Sequence, residues 1–105
     1  MIPMNIILFI DTSEIYTAKV AVELNGKRFE KSSESRVMKS QMVLPLIETL
    51  LGEHGLKLSD ITEIIVATGP GSFTGLRVGA TVANALGYLL DIPVNGKKAL
   101  VIPTY

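Results

Sequence analysis

The amino-acid sequence predicts an α/β domain in which helices pack on a mixed β-sheet, in the order β-β-β-α-β-α-β. Three observations lead to this order. Two strand-like runs flank an Asn-Gly dipeptide in the first third of the chain. A helix-like stripe of apolar residues follows at 43–51. A short β-branched run at 63–68 then leads through a glycine-rich turn into a second apolar segment.

The first third of the chain is predicted to be a three-stranded antiparallel meander. Residues 5–10 are apolar at successive positions, which is the pattern of a central strand buried on both faces. Residues 16–24 alternate in polarity, as in a strand with one buried face. Asn25-Gly26 predicts a tight hairpin turn because both positions of a type I′ turn need positive φ, and residues 27–33 return as a polar edge strand.

Two helices and two further strands complete the predicted sheet. Ser40 is expected to cap a helix that runs to about Glu53, with Pro45 either in its first turn or at a kink. The β-branched run forms the fourth strand and a helix at 76–90 follows it. Residues 92–94 form a final short strand.

The predicted topology is ribonuclease H-like, the topology of a lobe in the actin-like (ASKHA) superfamily. One hundred and five residues are enough for a single lobe with a substantial core, at 1–105, but not for two lobes. The tail at 97–105 is apolar and receives no predicted element.

Composition and charge exclude several classes of protein. Ten basic and ten acidic residues cancel, so there is no overall positive charge to favour nucleic acid or an anionic membrane as a direct partner. The absence of cysteine excludes disulfides and thiolate metal sites. No apolar stretch is long enough for a membrane span, and the apolar start lacks the features of a signal peptide, so a cytoplasmic location is expected.

The glycine-rich turn at 69–75 fits neither of the common nucleotide-binding motifs. A P-loop needs a lysine directly after its last glycine, and no lysine lies between Lys57 and Lys97. The dinucleotide-binding fingerprint has a different glycine spacing and follows the first strand of its fold, whereas this turn follows the fourth.

Few side chains are candidates for catalysis or metal binding. Asp11 ends the first strand, where ribonuclease H-like enzymes place a metal-binding carboxylate, but a turn aspartate is an equally good interpretation. His54 at a helix C-terminus is interpreted as structural, and Ser72 has no histidine–aspartate pair to activate it. The sequence therefore predicts no catalytic residue, no metal ligand and no cofactor.

Small residues recur at every fourth position of the second predicted helix and form a ridge, namely Gly75, Gly79, Ala83 and Gly87. Glycine within a helix costs about 1 kcal/mol relative to alanine, so this ridge indicates that another backbone packs closely there. The other side of the helix is expected to cover the sheet with larger apolar residues, namely Val78, Val82, Leu86 and Leu89. The ridge is then free for another helix, from this chain or from a partner. An interface is favoured over the alternative, in which the ridge simply packs on the first helix or on the sheet. Arg77 beside the ridge suits an interfacial ion pair or a bond to carbonyls of the turn.

Residues 69–79, with the sequence GPGSFTGLRVG, resemble the signature of the bacterial TsaB family, also called YeaZ. Residues 11–13 (Asp-Thr-Ser) are similar to the family's motif after its first strand. Residues 40–47 are similar to the family's first helix, although Lys39 stands where histidine is common, and residues 92–94 resemble its fifth strand.

The resemblance implies an accessory role. TsaB proteins have an actin-like fold with a degenerate nucleotide site and pair with a catalytic TsaD-type subunit. Together with a TsaE-type ATPase they support threonylcarbamoylation of the adenosine next to the anticodon of certain tRNAs. The chain is thus expected to be a non-catalytic scaffold or activator that contacts tRNA only indirectly and forms a homodimer in isolation. Two alternatives stay open: a small nucleotide-binding enzyme or metallopeptidase-like protein of the same superfamily, and a stand-alone homodimer.

The resemblance also assigns site residues, because the first two helices are expected to form the face that binds the TsaD-type subunit or a second copy. The predicted interface comprises Leu44, Ile47, Glu48, Leu51, Gly75, Leu76, Gly79, Ala80, Ala83, Asn84 and Gly87. The signature loop comprises Gly69, Pro70, Gly71, Ser72, Phe73, Thr74, Gly75 and Arg77. The remnant of the nucleotide site comprises Asp11, Thr12 and Ser13.

Family members normally have a second lobe of similar size, and this sequence stops just after the predicted fifth strand. The nucleotide cleft between two lobes cannot be completed by these residues, whereas the partner face lies in the lobe that is present. Leu100, Val101 and Ile102 would pack on a second lobe, and here they are expected to be exposed or to take part in a dimer.

Overall fold

The computed structural model describes residues 5–34 and 41–103. The elements are β1 (Ile6–Asp11), β2 (Thr17–Leu24), β3 (Lys27–Glu34), α1 (Val43–Glu53), a 3-10 turn (Leu58–Asp60), β4 (Glu63–Val66) and α2 (Phe73–Leu90). The strands form one sheet in the order β3-β2-β1-β4, in which β4 runs parallel to β1 and the other pairs are antiparallel. The predicted mixed sheet is confirmed.

The predicted hairpin between β2 and β3 is confirmed. Its two turn residues both have positive φ, 53° at Asn25 and 79° at Gly26, and Leu24 faces Lys27 across the turn. Because this backbone twist matches the twist of the flanking strands, the dipeptide fixes the register of the whole pair.

The core lies between one face of the sheet and the two helices. On β1 this face carries Ile6, Leu8 and Ile10, all fully buried or nearly so. Helix α1 packs mainly on β2 and β3, and α2 packs mainly on β4 and β1. Pro45 lies in the first turn of α1, where proline is tolerated, so no kink results. Ser40, the predicted cap, lies outside the described residues.

The opposite face of the sheet has no helix on it within the described residues. Ile7 and Phe9 of β1 are half-buried there, and Ile65 of β4 is exposed. The guanidinium of Arg28 lies over the Phe9 ring, 4.1 Å from its centroid. The prediction that β1 is buried on both faces is therefore wrong for the described residues, because apolar side chains at successive positions do not specify what covers each face.

The predicted fifth strand is reduced to a single parallel bridge between Val94 and Ile64. The carbonyl of Pro93 accepts a hydrogen bond from Ile64 N at 3.0 Å. Beyond this point the side chain of Asn95 replaces the strand: its Oδ1 accepts from Val66 N at 2.8 Å and its Nδ2 donates to Val66 O at 3.0 Å. Both outward-facing backbone groups of Val66 are thus satisfied without a further strand.

Helix α2 begins three residues earlier than predicted. The hydroxyl of Ser72 accepts a hydrogen bond from Gly75 N, so Ser72 is the N-cap and Phe73 is the first helical residue. Gly75 and Arg77 of the predicted signature loop are therefore helical. In residues 5–34 and 41–103, no helix combines the length and the apolar character needed to cross a bilayer.

Candidate functional site

Two loops meet at the end of the sheet where β1 and β4 finish. Because β1 and β4 are parallel neighbours, their carboxyl ends bring residues 11–13 beside the loop that follows β4. Ser72 N donates to Ser13 O at 2.8 Å. A Cβ at Gly71 would lie 2.6 Å from Ser13 Cβ and 2.8 Å from Ser13 O, so only glycine fits there without a shift. The structure thus joins the predicted nucleotide-site remnant to the signature loop.

Asp11 organises the turn that follows β1. Its Oδ1 accepts hydrogen bonds from Ser13 N at 2.9 Å and from Ser13 Oγ at 2.6 Å. This arrangement is an Asx turn, in which a short side chain replaces a backbone acceptor. It favours the interpretation of Asp11 as a turn residue.

Thr12 joins this turn to α2. It is 1% exposed, and its hydroxyl donates to Gly75 O at 2.5 Å and accepts from Gly79 N at 3.0 Å. These are the two backbone groups that an α-helix pairs with each other, so the hydroxyl contacts the helix backbone itself. Such contact needs a bare helix surface, and a Cβ at Gly79 would lie 2.5 Å from Thr12 Oγ1.

The small-residue ridge of α2 faces the chain's own sheet, so the prediction that it is free was wrong. Beyond Thr12, a Cβ at Gly79 would meet Val66 and Ile10 at 3.4 and 3.5 Å. A Cβ at Gly87 would lie 2.5 Å from a methyl carbon of Val94. The spacing correctly indicated close packing but could not identify the neighbours, which are Thr12 and side chains of the sheet.

Most residues of the predicted interface are buried within this chain. On α2 they are Gly75, Leu76, Gly79, Ala80, Ala83 and Gly87, and on α1 they are Ile47 and Leu51. Leu44 and Glu48 are exposed, and Asn84 is half-buried. An interface on these helices stays a prediction, and of the predicted set only Leu44, Glu48 and Asn84 leave a side chain within reach of a partner.

The outer face of α2 is unusually apolar for a surface helix. Phe73 is 54% exposed and Leu89 is 74% exposed, while Val78 and Val82 are half-buried. Arg77 is the only charged residue in the helix. A surface helix normally carries charged residues on its solvent side. This feature could have been found in the sequence from the near absence of charge over 18 residues.

The tail beyond the fifth strand lies against the second half of α2. Asn84 Nδ2 donates to Val101 O at 3.0 Å, and its Oδ1 accepts from Val101 N at 2.9 Å. Leu100 and Ile102 on either side are both 78% exposed. A cavity of about 600 Å³ lies between this tail and the C-terminal turns of α2.

The remaining candidates have structural contacts. Nδ1 of His54 lies 3.0 Å from Leu50 O, and its ring lies 4.2 Å from that of Phe29. The described residues contain no group of three histidine, aspartate or glutamate side chains that could hold a metal ion. The hydroxyl of Ser72 is engaged in capping α2. This geometry contains hydrogen bonds that order loops rather than a nucleophile next to a base.

Comparisons with known proteins indicate the family of this chain. A model of the TsaD family, described as tRNA N6-adenosine threonylcarbamoyltransferase, matches residues 35–100. The TsaB protein of Bacillus subtilis strain 168, a tRNA threonylcarbamoyladenosine biosynthesis protein, is 36% identical over 95 residues, which are 90% of this chain and 41% of that protein. The TsaB protein of Haemophilus influenzae is 34% identical over 88 residues, which are 84% of this chain and 37% of that protein.

A solved structure of YeaZ from Pseudomonas aeruginosa superimposes with a TM-score of 0.78 at 33% identity, over 87% of this chain and 42% of that chain. The chain belongs to the TsaB (YeaZ) family. The family predicted from residues 69–79 is therefore confirmed, and the fold of this TsaB-family chain is an α/β actin-like lobe. The chain spans about two fifths of the length of the relatives it matches.

Proposed function

We propose that this TsaB-family chain is a non-catalytic scaffold in the threonylcarbamoylation of tRNA adenosine, where it binds and activates a TsaD-type transferase. The relatives at 34–36% identity carry names from this biosynthesis, which supports the pathway. The two loops at the ends of β1 and β4 support the accessory role. Their hydroxyls, on Thr12 and Ser72, are hydrogen-bonded to the backbone of α2 and hold that helix in place.

The observation that carries the proposal is the outer face of α2. Exposed apolar side chains in a contiguous patch usually mark a protein–protein interface. Here Phe73 is exposed beside the half-buried Val78 and Val82, Leu89 is exposed near the end of the helix, and Arg77 is the only charge on α2. We therefore place the partner surface on the outer face of α2 rather than on the glycine ridge.

The TsaD family model indicates which partner is complementary. The residues that it matches include α1, β4 and α2, so a TsaD-type protein is expected to carry a similar pair of helices. Two proteins with similar helix faces can pack about a pseudo-twofold axis, as two copies of one protein do about a true one. Leu44 and Glu48 on the exposed side of α1 would then lie at the border of the interface.

Solution mass and binding test the proposal. We expect the chain, at 11.3 kDa, to form a complex with the TsaD-type protein of the same organism, observed by light scattering and quantified by titration calorimetry. Thr81→Glu places a charge in the middle of the outer face, at an exposed residue, and should weaken this complex at least tenfold. Ser59→Glu, in the exposed 3-10 turn, adds the same charge outside both helices and should bind as the wild type does.

Three outcomes would contradict the proposal. The first is a folded chain that stays monomeric and does not bind the TsaD-type protein. The second is equal binding by the Thr81→Glu and Ser59→Glu variants, which would move the interface away from α2. The third is turnover of a nucleotide or a peptide by the isolated chain, which would support the enzymatic alternative.

A further inference from the structure

Arg77 is the one charge on a helix of 18 residues, and none of the described residues supplies it with an anionic partner. Elsewhere Arg28, Lys31 and Lys98 form salt bridges at 3.1, 2.9 and 3.4 Å. In residues 5–34 and 41–103, Arg77 makes neither a hydrogen bond nor an ion pair. Its guanidinium lies over the ring of Phe73, 5.5 Å from the centroid, so the predicted bond to carbonyls of the turn does not form.

Arg77 lies in an otherwise uncharged groove along the outer face of α2. The groove has a volume of about 290 Å³ and is lined by Phe73, Thr74, Arg77, Val78, Thr81 and Val82. A protein that fills this groove removes water from the guanidinium. An unpaired charge taken out of water in an interface is strongly unfavourable, whereas the same charge with a hydrogen-bonded partner is tolerated. A protein that binds this groove is therefore expected to supply an acceptor for the guanidinium, and a carboxylate is the acceptor that also neutralises its charge.

We infer that Arg77 binds an aspartate or glutamate carboxylate of the TsaD-type partner and thereby selects that partner, an inference that rests on the proposed function. The planar guanidinium offers two parallel donors that match the two carboxylate oxygens. Packing against Phe73 restricts the arginine before the partner arrives, which lowers the entropy lost on binding.

A carboxylate explains the surroundings of Arg77 better than a nucleic-acid phosphate does. Nucleic-acid surfaces combine several cations, because each neutralised phosphate contributes separately to affinity. On α1 the only charged residues are Glu48 and Glu53, and on α2 Arg77 is alone. One arginine surrounded by apolar and hydroxyl side chains is typical of a protein interface, in which arginine is enriched.

Titration calorimetry of the complex with the TsaD-type protein of the same organism, at two salt concentrations, tests the inference. Arg77→Gln should weaken binding about 30-fold or more, the lower limit for removing one member of a buried, hydrogen-bonded charge pair. Arg77→Lys should lose part of this affinity because it cannot form the two parallel bonds. The wild-type affinity should fall more steeply with salt than that of Arg77→Gln.

Arg28→Gln is the matched control, since it removes the same charge on the sheet face opposite the helices. Its affinity should equal that of the wild type. If the wild type binds and Arg77→Gln binds within about threefold of it, the inference is wrong and the proposed function survives. If the folded wild type does not bind, both are wrong.

Two other results would also overturn the inference. Arg77→Gln could change only the mass of the isolated chain, which would make a second copy the occupant of the groove. It could also lower the affinity of the complex for tRNA alone, which would make a phosphate the anion. The inference is supported further if Arg77→Glu is rescued by reversing one acidic residue in the partner segment that corresponds to residues 35–100.

Discussion

Replacing Gly79 with alanine should destabilise the fold, although the same change in an ordinary helix would stabilise it. The added Cβ would lie 2.5 Å from Thr12 Oγ1. Thr12 is 1% exposed and makes two hydrogen bonds, so its hydroxyl cannot turn away without losing both. Overpacking of this kind costs about 1–3 kcal/mol, whereas the gain in helix propensity is about 1 kcal/mol. We expect a net loss of up to about 2 kcal/mol in the free energy of unfolding.

The effect should reverse when Thr12 is first replaced with alanine. The next atoms around the new Cβ are methyl carbons of Val66 and Ile10 at 3.4 and 3.5 Å, which are ordinary contact distances. In the Thr12→Ala background, Gly79→Ala should therefore stabilise the chain by up to about 1 kcal/mol, the helix propensity alone. The two substitutions should then show a coupling energy of about 1–3 kcal/mol, within the range measured for neighbouring residues.

Thermal and urea unfolding followed by far-UV circular dichroism would measure this cycle, since the chain contains no tryptophan for fluorescence. A change of 1 kcal/mol shifts the Tm of a domain of this size by about 4–8 °C, so each step can be resolved. Our reasoning is refuted if Gly79→Ala raises the Tm of the wild type, or if it has the same effect in both backgrounds.

Two further substitutions test the loops and the edge of the sheet. Gly71→Ala should lower the free energy of unfolding by about 1–3 kcal/mol, because its Cβ would meet Ser13 Cβ and O; an unchanged urea midpoint would contradict this contact. Asn95→Asp should cost about 1–3 kcal/mol, because an ionised carboxylate has no donor for Val66 O and leaves that acceptor unpaired; Asn25→Asp, in the exposed hairpin turn, is the control and should change the Tm by no more than a few degrees.

Features decided by neighbouring residues could be predicted from the sequence. The Asn25-Gly26 turn was correct because positive φ at two successive positions is a local requirement. The prediction of the family was correct because a long specific motif identifies it. The predicted start of α2 was three residues too late because the capping potential of Ser72 was overlooked.

Features decided by distant residues could not be predicted in the same way. The glycine ridge signals a close neighbour, but the neighbour is Thr12, 67 residues before Gly79 in the chain. Periodicity records which side of a helix is small and not what lies against it. The predicted fifth strand is only a bridge because the Asn95 side chain bonds the Val66 backbone in place of a neighbouring strand. Residue type alone does not reveal that a side chain takes this role.

The asparagine that ends the sheet also limits how this chain can associate. With the Ile64 and Val66 backbone groups already bonded by residues 93–95, the outer edge of β4 cannot accept a strand from another molecule. The other edge is β3, where Lys27, Arg28, Glu30 and other charged residues oppose pairing with a neighbour. Extension of the sheet in its own plane is therefore blocked at β4 and disfavoured at β3. Self-association into ribbons or fibrils is thereby disfavoured, and contact across the faces of the molecule is favoured.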